Sequence, residues 1–324
     1  MQEVPEANTL FRHTSAWVLP LAAVLLVAVS TWPAYYGYSV IRTYASVPTL
    51  PVIRQQNVTW PPPEVMPILD GRGIAATPDG NLFAIDRATG RLIAFQIRTS
   101  EPGQVIVPGH TTERLLEPQS LCLGPNGLIH VLEKRTGVVR TFSRSGRELS
   151  AHRMASPDEG TIAVDAEGNL FVSDANDGVI RKFRADGHPD SEWGDADAPG
   201  TVPISGVVAM IVLDGELLAA VAGQNVIVRL NASGRELNRE LALGNVGALA
   251  TDQDGHIYMG DPLTRRVWLI DRKGRTRARL IGDDGNQEVF DKPRALAVPG
   301  DGNLYVISRL SIAVYRFTNA EESR

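Results

Sequence analysis

A short phrase returns six times in this chain: an apolar run, a turn closed by Asp-Gly, Asn-Gly or Glu-Gly, and a hydrophobic strand that mostly ends at an acidic residue. Its first copy runs from Gly73 through Asp79-Gly80 to Asp86, and its sharpest is Thr161-Ile-Ala-Val-Asp-Ala-Glu-Gly168-Asn-Leu-Phe-Val-Ser-Asp174. The anchoring glycines Gly80, Gly127, Gly168, Gly215, Gly255 and Gly302 stand 47, 41, 47, 40 and 47 residues apart. A period of about 40 to 50 residues built from short strands predicts a β-propeller with one four-stranded blade per repeat. Each blade buries its faces only against its neighbours, so six copies make one domain even in a chain of 324 residues.

Composition removes several function classes. Net charge is −5 and no Lys/Arg run is present, so the basic footprint of a nucleic-acid binder is missing. The single cysteine, Cys122, excludes an intrachain disulfide framework, and its apolar run Ser120-Leu-Cys-Leu marks it as a small buried hydrophobe.

The repeats begin only after residue 68, and what precedes them has a different character. From Thr14 to Ile41 no side chain carries a full charge, and Ala16 to Val29 is almost wholly aliphatic, long enough with its flank to cross a bilayer core of about 30 Å. The stretch 16–38 reads as a single-pass transmembrane α-helix following a tail of residues 1–15, with Trp17 at one end and Trp32, Tyr35 and Tyr36 at the other as headgroup anchors. The competing reading is a cleaved signal peptide, with Arg12 and His13 as its charged start and Ala28-Val-Ser30 as its cleavage site. An N-terminal signal-anchor places the propeller on the periplasmic, extracytoplasmic side. A proline-rich linker, residues 39–67, then leads to the propeller at 68–318 and a polar tail at 319–324.

Within each repeat the frame gives an inner strand before the glycine, a second after it and a third beyond a polar turn. In the third copy these are Ile162–Val164, Leu170–Ser173 and Val179–Phe183, joined by Asn176-Asp177-Gly178. Outer strands are expected at Val105–Val107, Glu148–His152, Glu236–Leu243 and Thr276–Ile281. The sixth copy has none of its own, and propellers avoid open edges by pairing both chain ends in one blade. The β-prone segment 51–60 is therefore expected as the outer strand of blade six.

The phrases Gly168-Asn-Leu-Phe-Val-Ser-Asp174 and Gly302-Asn-Leu-Tyr305-Val, each followed by a strand ending in Arg and Phe, resemble NHL repeats. These belong to the six-bladed propellers that include the SMP-30/gluconolactonase-like and streptogramin-lyase-like groups. The resemblance covers about residues 70 to 317 and implies an all-β, six-bladed fold, while the motif itself leaves function open.

Two sets of acids need separate treatment. Asp86, Glu133, Asp174 and Asp261 end second strands, and their recurrence in several blades marks them as turn architecture. The unrepeated positions lie just before the inner strands, at one mouth of the central channel. Arg72, Gln119, Asp158, Glu159, Asn245 and Arg294 are the candidate site residues there. The lactonase-like relatives hold a metal with Glu, Asn and Asp from separate blades, and Asp70, Glu117, Asp158 and Asn245 offer that chemistry for Ca²⁺ or another divalent cation if their loops turn inward. The lyase-like relatives use a channel histidine, whereas the histidines here are scattered without a repeated pattern. No Cys-His metal spacing, Walker-type loop or Gly-x-Ser-x-Gly elbow is present. The expectation is a membrane-anchored, non-catalytic propeller without a cofactor, serving as an interaction or scaffold subunit of a bacterial respiratory or photosynthetic membrane complex. The alternative is a metal-dependent lactonase-like hydrolase or lyase acting at the channel mouth.

Overall fold

The computed structural model describes residues 47–60, 67–96, 104–107, 114–156, 158–195, 197–242, 244–272, 275–282 and 290–317. Among them the fold is all-β, a six-bladed propeller with no α-helix, and no helix is long and apolar enough to cross a membrane. The expected transmembrane segment, with Trp17, Trp32, Tyr35 and Tyr36, lies outside the described residues.

The chain enters through β1 (Thr49–Trp60) and then builds the blades in order. Blade one is β2 (Gly71–Ala76), β3 (Asn81–Asp86), β4 (Arg91–Gln96) and β5 (Gln104–Val107). Blade two is β6 (Pro118–Leu123), β7 (Ile129–Glu133), β8 (Val138–Phe142) and β9 (Glu148–Arg153). Blade three places β10 (Ile162–Val164), β11 (Leu170–Asp174) and β12 (Val179–Phe183) inside. A small hairpin of β13 (Gly194–Asp195) and β14 (Ala198–Pro199) intervenes before its outer strand β15 (Thr201–Pro203), which the sequence pattern does not mark. Blade four is β16 (Val207–Leu213), β17 (Glu216–Val221), β18 (Val226–Leu230) and β19 (Glu236–Leu241). Blade five is β20 (Ala248–Thr251), β21 (Ile257–Asp261), β22 (Arg266–Ile270) and β23 (Thr276–Gly282). Blade six has β24 (Ala295–Ala297), β25 (Asn303–Ile307) and β26 (Ile312–Phe317).

β1 runs antiparallel to β26, with Val52 opposite Phe317 and Trp60 opposite Ile312. It also pairs in parallel with β23, Leu50 opposite Leu280, so blades five and six share one eight-stranded sheet. That second pairing is absent from the sequence expectation, because Thr49–Val52 carries no signal for which of its two edges is occupied. Val52 is fully buried in the cluster that also holds Leu280, Phe290 and Tyr315. Similar clusters fill the seams between blades six and one, one and two, two and three, and three and four.

The recurrent phrase has a local cause at each end. At the inner turn, the amides of Gly80 and Gly168 donate back to the carbonyls of Thr77 and Asp165, and the two glycines take φ of 93° and 87°, a region other residues enter at a cost. The Asp165 carboxylate adds bonds from the amides of Glu167 and Asn169. At the far end, each second-strand acid is a buried staple. Asp86 accepts from the amides of Leu69, Asp70 and Ala88, the Thr89 hydroxyl and Arg91. Asp174 accepts from the amides of Ser156, Asn176 and Asp177 and from Arg181. Asp261 binds the amides of Asn245, Leu263 and Thr264, and Glu133 the amide of Leu116 and the Thr136 hydroxyl. Every staple thus fixes the loop that delivers its own blade's inner strand. Blade four has none, since Val221 takes the acid's place at the end of β17, and blade six substitutes Ser308, which bonds to Ser311.

Burial favours the neutral form of Asp86 and Asp174, but the bonds from Arg91 and from the Ser156 and Asp177 amides outweigh it and hold both carboxyls below 3.8. A depressed native value adds stability above the unfolded pKa and loses it as pH falls through the native one. Acid unfolding is therefore expected to steepen below about pH 3.8, and the Asp86→Asn/Asp174→Asn pair to flatten that slope in urea titrations. Asp174→Ala, which strands three amides and Arg181, is expected to cost about 3 kcal/mol or more by denaturant unfolding.

Candidate functional site

The inner strands line the channel, and their starts surround a cavity of about 420 Å³ at one mouth. Its wall includes Arg72, Gln119, Glu159 and Arg294 from blades one, two, three and six, together with the hydroxyl-bearing Ser120 and Thr161. Opposite them blades four and five contribute Val207, Val208, Val246 and Pro262. The wall is therefore charged on one side and apolar on the other. A second cavity of about 250 Å³ opens from the other end of the channel. The two share Ile74, Leu121, Ile162, Met210, Leu249 and Leu296, one large apolar side chain per blade, each less than a tenth exposed. These six form a girdle across the channel. In blade four a shorter turn, which pairs Leu213 with Glu216, sets Met210 opposite Ala219 as Ile74 stands opposite Ala84 in blade one.

The charged side is an ion-pair network. Asp70 accepts from Arg87 Nε at 2.7 Å and from Arg294, and Arg72 Nε stands 3.6 Å from it. Glu159 accepts from Lys134 at 3.0 Å and reaches Arg87 at 4.0 Å. Four cations thus share two carboxylates. Burial opposes ionisation of Asp70, but the bond from Arg294 and the charges of Arg72 and Arg87 pull its carboxyl below the usual range. Arg72 is shifted down, by burial first and by Arg87 and Arg294 against the help of Asp70. Arg72 Nε and Gln119 Oε1 are both buried without a hydrogen-bond partner.

The remaining candidates sit differently. Asp158 and Asn245 are half-buried and do not line the cavity; Asp158 accepts from the Glu159 amide, and the Asn245 amide donates to Asp261. Glu117 is exposed with φ of 54°, and its carbonyl accepts from the Lys134 amide. The set Asp70, Glu117, Asp158 and Asn245 does not fit a divalent cation, because both Asp70 oxygens already accept from arginines and cations crowd around them. Among the described residues the acid and histidine atoms that do converge are those of Asp252, Asp254 and His256, in the β20–β21 turn, where Asp252 is occupied by the turn's own amides.

No described histidine lines either cavity. His130 is buried beside Thr141, with its pKa lowered to about 4 by burial, while His152, His188 and His256 are exposed on outer strands or turns. Cys122 is only partly buried and lines the second cavity, and burial pushes its thiol up, away from reactivity. Arg87 and Lys134 were not among the sequence candidates: they lie in turns after second strands, where Arg87 meets Asp70 of its own blade and Lys134 meets Glu159 of the next.

No protein-family model matches the chain, and neither does any curated protein. Solved structures do. Streptogramin B lyase is similar at 14% identity and TM-score 0.59, over 78% of this chain and 95% of that one. A catalytically inactive virginiamycin B lyase from Staphylococcus aureus with quinupristin gives 12% identity and 0.55, over 76% and 80%. A chain of the mitotic checkpoint complex gives 11% identity and 0.58, over 83% and 93%. At such identities the likeness establishes the propeller fold alone.

Removing Asp70 leaves Arg72, Arg87 and Arg294 facing one another. Asp70→Asn is expected to lose about 2 kcal/mol in low-salt denaturation, and the loss to shrink at about 0.5 M salt, where the remaining repulsion is screened.

Proposed function

We propose that this chain is a non-catalytic interaction propeller, tethered to a membrane by residues 16–38 and docking onto a protein partner through its channel-mouth face, as an accessory subunit of a membrane complex. The observation that carries this reading is the state of the mouth carboxylates. Asp70 and Glu159 are committed to Arg72, Arg87, Lys134 and Arg294, which leaves neither as a free general base or metal ligand. The apolar ring of Ile74, Leu121, Ile162, Met210, Leu249 and Leu296 lies at the inner end of the mouth cavity. An open mouth that is charged on one side and apolar on the other suits a protruding side chain of a partner. The fold neighbours include both a lyase and a chain of a multiprotein complex, so fold alone decides nothing between the two roles.

A photo-crosslinking residue placed at Val208 of the full-length protein in native membranes is expected to give one discrete protein adduct. The same residue at Asp214, in the turn at the other end of the ring, is expected to give none. Uncrosslinked protein at both positions would overturn the reading. Elemental analysis supplies the independent check: a stoichiometric divalent ion lost on Asp158→Ala would favour the hydrolase.

A further inference from the structure

Seven large apolar side chains are exposed among the described residues: Leu149, Leu237 and Leu241 lie on the outer strands β9 and β19, and the other four share one face. Leu69, at 47% exposure, precedes β2; Leu263, at 74%, lies in the β21–β22 turn; Leu310, at 61%, lies in the β25–β26 turn; and Val208, at 40%, opens β16. All four positions are at strand ends on the side where inner strands begin and second strands finish. That is the face on which the 420 Å³ cavity opens. They come from blades four, five, six and one in succession, so apolar side chains recur around the rim of the mouth, with the exposed Lys292 and Arg309 of blade six among them. Solvent-exposed leucines grouped on one rim of a ring mark a surface that another molecule covers.

The charged wall of the cavity specifies what that molecule carries. Arg72, Arg87 and Arg294 converge on one carboxylate, Asp70, and Arg72 Nε is buried without a hydrogen bond. A guanidinium in that state gains from a second carboxylate, which it can take through two parallel N–H bonds. Gln119, one blade further round, lines the same cavity and sets a side-chain amide beside the arginines. The cavity therefore offers a cationic socket for an acid, an amide beside it, and an apolar rim.

Building on the interaction role above, we propose that the mouth face binds a peptide segment of its partner in which a Glu or Asp side chain enters between Arg72 and Arg294 while flanking apolar side chains rest on Leu69, Val208, Leu263 and Leu310. A small free anion would satisfy the arginines but leave the rim leucines in water. A peptide covers both, which is why the combined pattern favours it. Glu159 and Lys134, paired at 3.0 Å, stand at the edge of the socket as a neutral boundary.

The test pans a random heptapeptide display library on the full-length protein. The expected consensus is one acidic residue flanked by Leu, Ile, Val or Phe. A representative peptide is expected to lose at least tenfold in affinity when its acid becomes the amide, and similarly against Arg72→Gln. Against Leu263→Ser/Leu310→Ser, whose exposed positions leave folding intact, the expected loss is about fivefold. Enriched peptides without a carboxylate, or affinities unchanged by these variants, would overturn the proposal. So would displacement by millimolar glutarate with no effect of the leucine changes, which would assign a free anion. Binding to phosphatidylglycerol vesicles that disappears in Leu263→Ser/Leu310→Ser while no peptide is enriched would assign a lipid surface instead. Crosslinked adducts at Val208 that persist in all these variants would overturn the acidic socket while leaving the interaction role standing.

Discussion

Everything in this propeller depends on backbone hydrogen bonds made by a strand that comes first in sequence and last in the ring. Without β1, the outer edges of β23 and β26 would each present unpaired amide and carbonyl groups. One strand pairs with both, so closure is a three-body contact: two blades are held by hydrogen bonds in addition to the side-chain seam between them. The other seams rely on apolar packing and a few ion pairs across loops. The consequence is that blade six, built from both ends of the repeat array, is tied to blade five by backbone pairing as well as by side chains.

The buried staples provide the second level of order. Asp86, Glu133, Asp174 and Asp261 are carboxylates in an apolar surround, which would be costly if unpaired. Each gains back the cost by collecting amides from the loop that starts its inner strand, so the geometry of the mouth is set from within each blade. Blades four and six, which lack the acid, contribute Val208 and Leu310 to the mouth, and blade six adds Arg294 beside its leucine. The apolar rim and the missing staples thus fall partly on the same blades.

The strand frame was readable because its causes are local. A glycine with φ near 90° sits at a fixed place in the turn, the flanking strands alternate, and the staple acid recurs at the same offset. Even the wall residues Arg72, Gln119 and Arg294 stand at one offset, eight before the glycine, which is why counting alone brings them together. What the frame does not carry is anything that requires the ring. Arg87 and Lys134 stand at one offset too, seven after the glycine, and Arg87 meets Asp70 within its own blade, but the pairing of Lys134 with Glu159 exists only once blades two and three are packed. The outer strand of blade three is hidden for another reason: the β13–β14 hairpin separates Thr201–Pro203 from the rest of its repeat. The metal reading of Asp70 illustrates the same limit, because a residue type is a ligand or a counterion according to its neighbours.

The girdle of six apolar side chains across the channel divides the molecule chemically. Arg72, Glu159 and Arg294 line only the first cavity, while the second, with Cys122 in its wall, is lined by no charged side chain. The ring therefore presents a charged vestibule at one end and an uncharged one at the other, on one scaffold.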